Sequence, residues 1–214
     1  MRRDLFSLFD NGIQVDREGL HSVKFERAAI DIGGYLSGDR VLDAFCGVGG
    51  VSIALARAGK QVIAVDNNAS RLAMARNNAR VYGVADRITF LLGDAQQALV
   101  NSEVDAVYLD PPWGGARYIG KTWFRFTDFA IQGLDVFNAA LQRPIYVALS
   151  LPMNFDFREL WRLYRNFSIL WFHYRGYHLF STVFIPPANL SATKREAVFS
   201  TGRPLPLPRG KPRE

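Results

Sequence analysis

Four aspartates close four successive apolar runs: Asp43 after Val41-Leu42, Asp66 after Val62–Val65, Asp94 just beyond Ile88–Leu92, and Asp110 after Asp105–Leu109. Short apolar runs alternating with helical patterns mark the strands of a parallel sheet, because helices cover both faces of such strands. The pattern predicts strands over 41–43, 61–66, 88–92, 105–109 and 145–149, with helices near 51–58, 69–82, 127–141 and 157–164. Two aromatic-rich runs, 167–174 and 177–185, are separated only by Arg175-Gly176 and read as a hairpin. The chain is therefore expected to be α/β, with a mostly parallel seven-stranded sheet ending in an antiparallel C-terminal hairpin strand.

In an open α/β sheet, ligands bind beyond the carboxyl ends of the strands, where these aspartates fall. Asp43-Ala44-Phe45-Cys46-Gly47-Val48-Gly49-Gly50 joins the first strand to the next helix. Gly47 and Gly49 let the backbone turn tightly and approach a ligand closely. The segment lacks the third glycine of a dinucleotide fingerprint and has no Gly-Lys-Ser/Thr, so a pyrophosphate is not expected there. An acid inside the turn suits a cation instead. Asp66 stands where a ribose diol would be bound, in competition with a helix-capping role that Asn67 or Asn68 could also fill. Asp94 stands where an adenine edge would be met. An ammonium, a sulfonium, a ribose and an adenine together describe S-adenosylmethionine, the cofactor this set predicts.

Asp110-Pro111-Pro112-Trp113-Gly114-Gly115 follows the fourth strand. The prolines fix φ and carry no N–H, so carbonyls aim outward as acceptors. Asp110 adds an acceptor and Trp113 a stacking face. Such a turn suits a planar group with an exocyclic NH2, as in guanine, adenine or cytosine. Asp110, Pro111 and Trp113 are thus the candidate catalytic residues. His21, His173 and His178 are scattered, no metal-ligand cluster is visible, and no metal is expected. The single cysteine, Cys46, excludes an intramolecular disulfide framework.

The 214 residues fit one domain: a lead-in over 1–40 covering the active site, a catalytic domain over 41–193, and a tail over 194–214. The formal charge is +6, and the tail holds six basic residues against two acidic ones. That balance is compatible with RNA as the partner. Residues 201–212, rich in Pro and Gly, are expected to be disordered. No apolar run is long enough to span a bilayer, and no signal-peptide core follows Met1. A monomeric, soluble, intracellular protein is expected, cytoplasmic in a prokaryote and nuclear in a eukaryote.

With these residues in place the chain resembles a class I S-adenosylmethionine-dependent methyltransferase of Rossmann-like fold. More closely it resembles the trimethylguanosine synthase family, the RNA cap guanine-N2 methyltransferases. The likeness runs from Leu5-Phe6-Ser7 and Phe9-Asp10, through Asp16-Arg17-Glu18-Gly19 and Ser22-Val23, to the Gly-rich turn. It continues through Ala75-Arg76-Asn77-Asn78-Ala79 and Gly93-Asp94 to Pro111-Pro112-Trp113-Gly114-Gly115. The resemblance implies that Asp43, Asp66 and Asp94 hold the cofactor, together with Phe45, Gly47, Gly49 and Asn67, under a cover of Phe6 and Ser22. Trp113 would stack the guanine, with Asn78 and Asn154 completing the substrate pocket.

The family converts 7-methylguanosine caps to 2,2,7-trimethylguanosine. This chain has Leu151-Pro152-Met153-Asn154 where the family tends to have Leu-Pro-Arg-Asn on a cap phosphate. It has Asp110 where the family often has serine, and only Met1-Arg2-Arg3-Asp4 ahead of Leu5. A guanine outside a cap is therefore an open substrate. Adenine N6, cytosine N4, a glutamine side chain, or a catalytically silent RNA-binding module remain the competing readings.

Overall fold

The computed structural model describes residues 2–118, 120–129, 131–174, 176–188, 190 and 197–200. The chain enters through α1 (Arg2–Leu5), α2 (Gly19–Ser22) and α3 (Glu26–Tyr35). It then alternates through β1 (Arg40–Asp43), α4 (Gly50–Arg57), β2 (Gln61–Asp66), α5 (Ala69–Val81), β3 (Ile88–Leu92), α6 (Ala95–Asn101) and β4 (Ala106–Leu109). There follow α7 (Ile131–Leu141), β5 (Tyr146–Pro152), α8 (Phe157–Leu163), β6 (Ser168–Tyr174), β7 (Tyr177–Ile185) and β8 (Ala197–Ser200).

The sheet order is β3-β2-β1-β4-β5-β7-β6-β8. β1 to β5 run parallel, and β7 inserts antiparallel between β5 and β6, as the hairpin pattern predicts. β8 pairs parallel with β6 and adds an eighth strand. Its residues fall in the stretch read from sequence as part of the basic tail, because the surrounding charges masked the short run Ala197-Val198-Phe199. Residues 201–212 lie outside the described residues. The helix expected over 127–141 starts at Ile131, since Phe126–Asp128 form a separate 3-10 turn. The Asp128 carboxylate closes that turn by accepting from Arg125 N–H at 2.8 Å and from Lys121 Nζ at 2.5 Å.

Strand alternation sorts the core into two layers. Val41, Val62, Ala64, Ile88, Ala106 and Tyr108 pack with α3, α4 and α5. Leu42, Val65, Val107 and Leu109 pack with α6, α7 and α8 on the other face. Side chains two apart on a strand share a face. Asp43, Asp66 and Asp110 continue the first set, so these three are dealt to the α3–α5 side at the carboxyl ends of their strands, whereas Asp94 lies two residues beyond β3 at the start of α6.

The lead-in is fastened to that same side, with α5 as its rail. Asn77 Nδ2 donates to Gly12 O at 2.9 Å. Arg71 forms ion pairs with Asp16 and Glu18. Glu26 accepts from Ser7 Oγ at 3.0 Å, Tyr82 Oη at 2.9 Å and an Arg57 guanidinium nitrogen at 2.5 Å. Among the described residues no helix is long and apolar enough to cross a membrane.

Candidate active site

The Gly-rich turn is shaped by backbone that other residues adopt poorly. Gly47 and Gly49 sit at φ 53° and 89°. A Cβ on Gly49 would also lie 3.0 Å from Ala75 Cβ, so α4 and α5 could not close on each other at their present spacing. A Cβ on Gly47 would meet nothing within 4 Å, which leaves open space beside the turn.

Asp43 is 1% exposed, and its Oδ2 accepts from Ser52 Oγ at 2.5 Å. Its Oδ1 is buried without a hydrogen-bond partner. Burial pushes Asp43 up to about 7, with Asp110 and Asp66 repelling the charged form and the Ser52 hydrogen bond opposing the rise. A buried carboxylate with a vacant acceptor and two acidic neighbours is a site that a cation relieves. Asp66 Oδ2 accepts from Gly47 N–H at 2.9 Å, and Oδ1 accepts from Asn68 N–H at 2.8 Å. These bonds leave lone pairs for a ligand diol and lock the end of β2 to the turn. The helix cap at this position is Asn68, whose side chain accepts from Ser70 and Arg71 N–H.

The remaining sequence candidates separate. Asp94 is the cap of α6, its Oδ1 accepting from Gln96 and Gln97 N–H at 2.9 Å. Phe45 is half-buried, while Asn67 and Ser22 are exposed. Phe6 is 2% exposed and packs beside Tyr82, with ring centroids 6.2 Å apart. It supports the layer beneath the turn and presents no open face. Burial pushes the Cys46 thiol well up, which leaves it inert as a nucleophile.

Asn78 requires a correction. It is fully buried; its Oδ1 accepts from Gln14 N–H at 2.7 Å, and its Nδ2 donates to Gln14 O at 2.8 Å and Val48 O at 3.0 Å. Its amide is consumed in tying the lead-in to the Gly-rich turn, so it presents nothing to a substrate. Asn154 is also structural in part. Its Nδ2 donates to Tyr118 O and Lys121 O, both at 2.8 Å, and so holds the loop after Trp113 against the end of β5. Its Oδ1 is buried without a partner and remains an acceptor.

On the acceptor side, Pro111 lies under α7. A Cβ on Gly133 would come 2.5 Å from Pro111 Cβ, so only glycine lets the helix sit against the Pro-Pro turn. Trp113 is half-buried and meets Tyr118 edge-on, with centroids 5.4 Å apart. Burial, then the Asp110 charge, pushes the Tyr118 hydroxyl up.

Sequence reasoning missed Lys24, which stands at the centre of this half. The lead-in delivers its Nζ to Asp110, 2.9 Å from Oδ2 and donating to Oδ1 at 3.1 Å. The ammonium is 4.3 Å from the ring centroids of both Trp113 and Phe180. The signal available was Asp110 itself, since an acid at a buried strand end calls for a counter-charge. The histidines lie elsewhere: His178 packs on Trp171 and pairs with Ser181 Oγ at 2.8 Å. Among the described residues no cluster of three or more His, Cys, Asp or Glu could hold a metal ion.

Comparison with known proteins places the chain in a family. Residues 38–186 match the family described as RNA cap guanine-N2 methyltransferase. A trimethylguanosine synthase of Schizosaccharomyces pombe is 35% identical over 170 residues, covering 74% of this chain and 71% of that one. A tRNA (guanine(10)-N2)-dimethyltransferase of Methanothermobacter thermautotrophicus is 34% identical over 96 residues, covering 45% of this chain and 28% of that one. Among solved structures, a Porphyromonas gingivalis protein described as a methyltransferase superposes with a TM-score of 0.71 at 16% identity, covering 88% of this chain and 47% of that one. At that identity the last shows the shared fold alone.

Proposed function

The chain belongs to the RNA cap guanine-N2 methyltransferase family, whose reaction is S-adenosylmethionine-dependent methyl transfer to guanine N2, and from that premise we propose how its own residues divide the work. Asp43 and Asp66 hold the cofactor, Asp43 through the ammonium of the methionine end and Asp66 through the ribose diol. Asp110, Pro111 and Trp113 present N2 of an RNA guanine. The observation that carries the reading is the convergence of Asp43, Asp66 and Asp110 at the ends of three neighbouring strands, one of them holding a buried oxygen with no partner.

S-adenosylmethionine supplies a methyl group whose bond to sulfur breaks as the N2 lone pair forms the new N–C bond. The lone pair of N2 is delocalised into the ring, so the amine is a weak nucleophile. Acceptors at Asp110 and the Pro111 carbonyl pull on its hydrogens and favour a more pyramidal nitrogen; the proton lost from N2 passes to the Asp110 carboxylate and on to solvent. Trp113 holds the ring plane and thereby the line of approach. Positioning of this kind can supply up to roughly 7–11 kcal/mol of a barrier.

The test is incubation of the full chain with labelled S-adenosylmethionine and total RNA, followed by nucleoside analysis. N2-methylguanosine or its dimethyl form is expected. Label in N6-methyladenosine, in N4-methylcytidine or in the protein itself would reject the guanine assignment. Cofactor binding without label in any product would reduce the chain to a binding module.

A further inference from the structure

Lys24 is the one lysine or arginine among the described residues that is buried, at 7% exposure. Its place is fixed by the two residues that follow it in the chain. Phe25 stacks on Tyr174 with centroids 5.0 Å apart and planes 12° apart, and Glu26 is tied to Ser7, Tyr82 and Arg57. The ammonium therefore belongs to the pocket wall.

We propose that Lys24 makes the acceptor pocket selective for an electrically neutral guanine, one without a 7-methyl group, and hence for RNA guanines outside a 7-methylguanosine cap. The proposal rests on the guanine-N2 reading and names its substrate class.

Two features of the geometry push the same way. A base methylated at N7 is a cation, and a cation gains from an indole by sitting against the negative face of the ring. Here Lys24 Nζ already stands over the Trp113 ring, 4.3 Å from its centroid, so that face already holds a cation and a cationic base gains nothing further from it. Lys24 and Asp110 pair at 2.9 Å, so together they offer no net negative charge to draw in a cationic base. A neutral guanine needs neither. It also carries N7 and O6 as acceptors on one edge, which a nearby ammonium favours, and N7 methylation removes the first of them.

The experiment compares two RNAs identical except at the 5′ end, GpppA-RNA and 7-methyl-GpppA-RNA without other guanines, beside a pool of uncapped RNA. Wild-type enzyme should form N2-methylguanosine on unmethylated guanines, on the GpppA end or in the pool, with kcat/KM at least tenfold above that for the 7-methylated end. Equal or faster turnover of the 7-methylated end overturns the proposal while leaving the guanine-N2 reading intact. No methylguanosine in any of the three overturns the reading itself. The double variant Lys24→Met with Asp110→Asn removes both charges together and should narrow the ratio of GDP to 7-methyl-GDP affinity, read by tryptophan-fluorescence quenching, with cofactor binding by calorimetry showing that it is folded. An unchanged ratio in that variant removes Lys24 from the account. Independently of any variant, quenching of tryptophan fluorescence in the wild type should show GDP bound more tightly than 7-methyl-GDP, and the reverse order overturns the proposal.

Discussion

The two halves of the cleft are built by different means. The cofactor half is made from consecutive strand ends and the turns that directly follow them: Asp43 with Ser52, Asp66 with Gly47 and Asn68. The acceptor half draws on segments far apart in the chain. Lys24 reaches Asp110 across 86 positions, Phe180 comes from β7, and Asn154 comes from the turn after β5. In the first half the strand ends and the turns that follow them set the geometry, so loss of one side chain is expected to disturb it little. In the second it is set by side chains holding each other, so removing one partner disturbs the rest.

The largest effect that can break this contrast is at Asp110. Asp110→Ala leaves the Lys24 ammonium, whose side chain is 6% exposed, without its counter-charge. Stripping one partner from a buried pair costs about 3–5 kcal/mol, whereas removing both together is close to neutral. Urea unfolding should show a loss of that size for Asp110→Ala and recovery of most of it in Lys24→Met with Asp110→Asn. A single variant within about 1 kcal/mol of wild type would mean that the pair does not hold this half together. The same result governs activity assays: a dead Asp110→Ala enzyme reports on folding as much as on chemistry, and Asp110→Asn is the cleaner probe.

A second test addresses the cofactor half through pH. Burial pushes Asp43 up to about 7 from an unfolded value of 3.8. Between those values the folded, cofactor-free protein binds the proton and the unfolded chain does not. Stability contributed at this residue is therefore greatest at low pH and falls as pH rises toward 7. Cofactor binding runs the other way, because the ammonium needs the carboxylate. A free-state pKa near 7 makes affinity for S-adenosylmethionine about fiftyfold weaker at pH 5 than at pH 7. Asp43→Asn should flatten both profiles. Calorimetric titration that gives the wild type one affinity across this range would show that Asp43 does not meet the cation.

This contrast also explains what could be read from the sequence. The parallel strands, the hairpin, the Gly-rich turn and the aspartates at strand ends follow from periodicity and local backbone chemistry, which a linear sequence displays. Asn78 was misread because its position beside Asn77 on α5 says nothing of Gln14 and Val48, the groups that consume its amide. Lys24 was missed because a lone lysine between Val23 and Phe25 looks solvated until the sheet brings Asp110 to it. Short elements went unread for a related reason. α6 has seven residues and β8 four, too few to show a period, and what fixes them is a cap at Asp94 and a neighbour at β6.

The smallest effect decides whether the third strand end belongs to the cofactor half at all. Asp94 already has a structural task, since its Oδ1 accepts two N–H groups at the start of α6. A cap of this kind contributes about 1 kcal/mol, lost on substitution by Ala and largely kept by Asn. Asp94→Ala should therefore lower stability by about that amount, while Asp94→Asn leaves it within a few tenths. If the carboxylate also meets the cofactor, the two substitutions part company in binding. Asp94→Asn preserves the cap but exchanges a charged acceptor for a neutral one, a difference of about 1 kcal/mol or roughly fivefold in affinity for S-adenosylmethionine. Asparagine at 94 with both stability and affinity unchanged would make Asp94 a cap alone. The cofactor half would then be built on two strand ends, β1 and β2, with the contrast between the halves narrowed to Asp43 and Asp66 against Lys24 and Asp110.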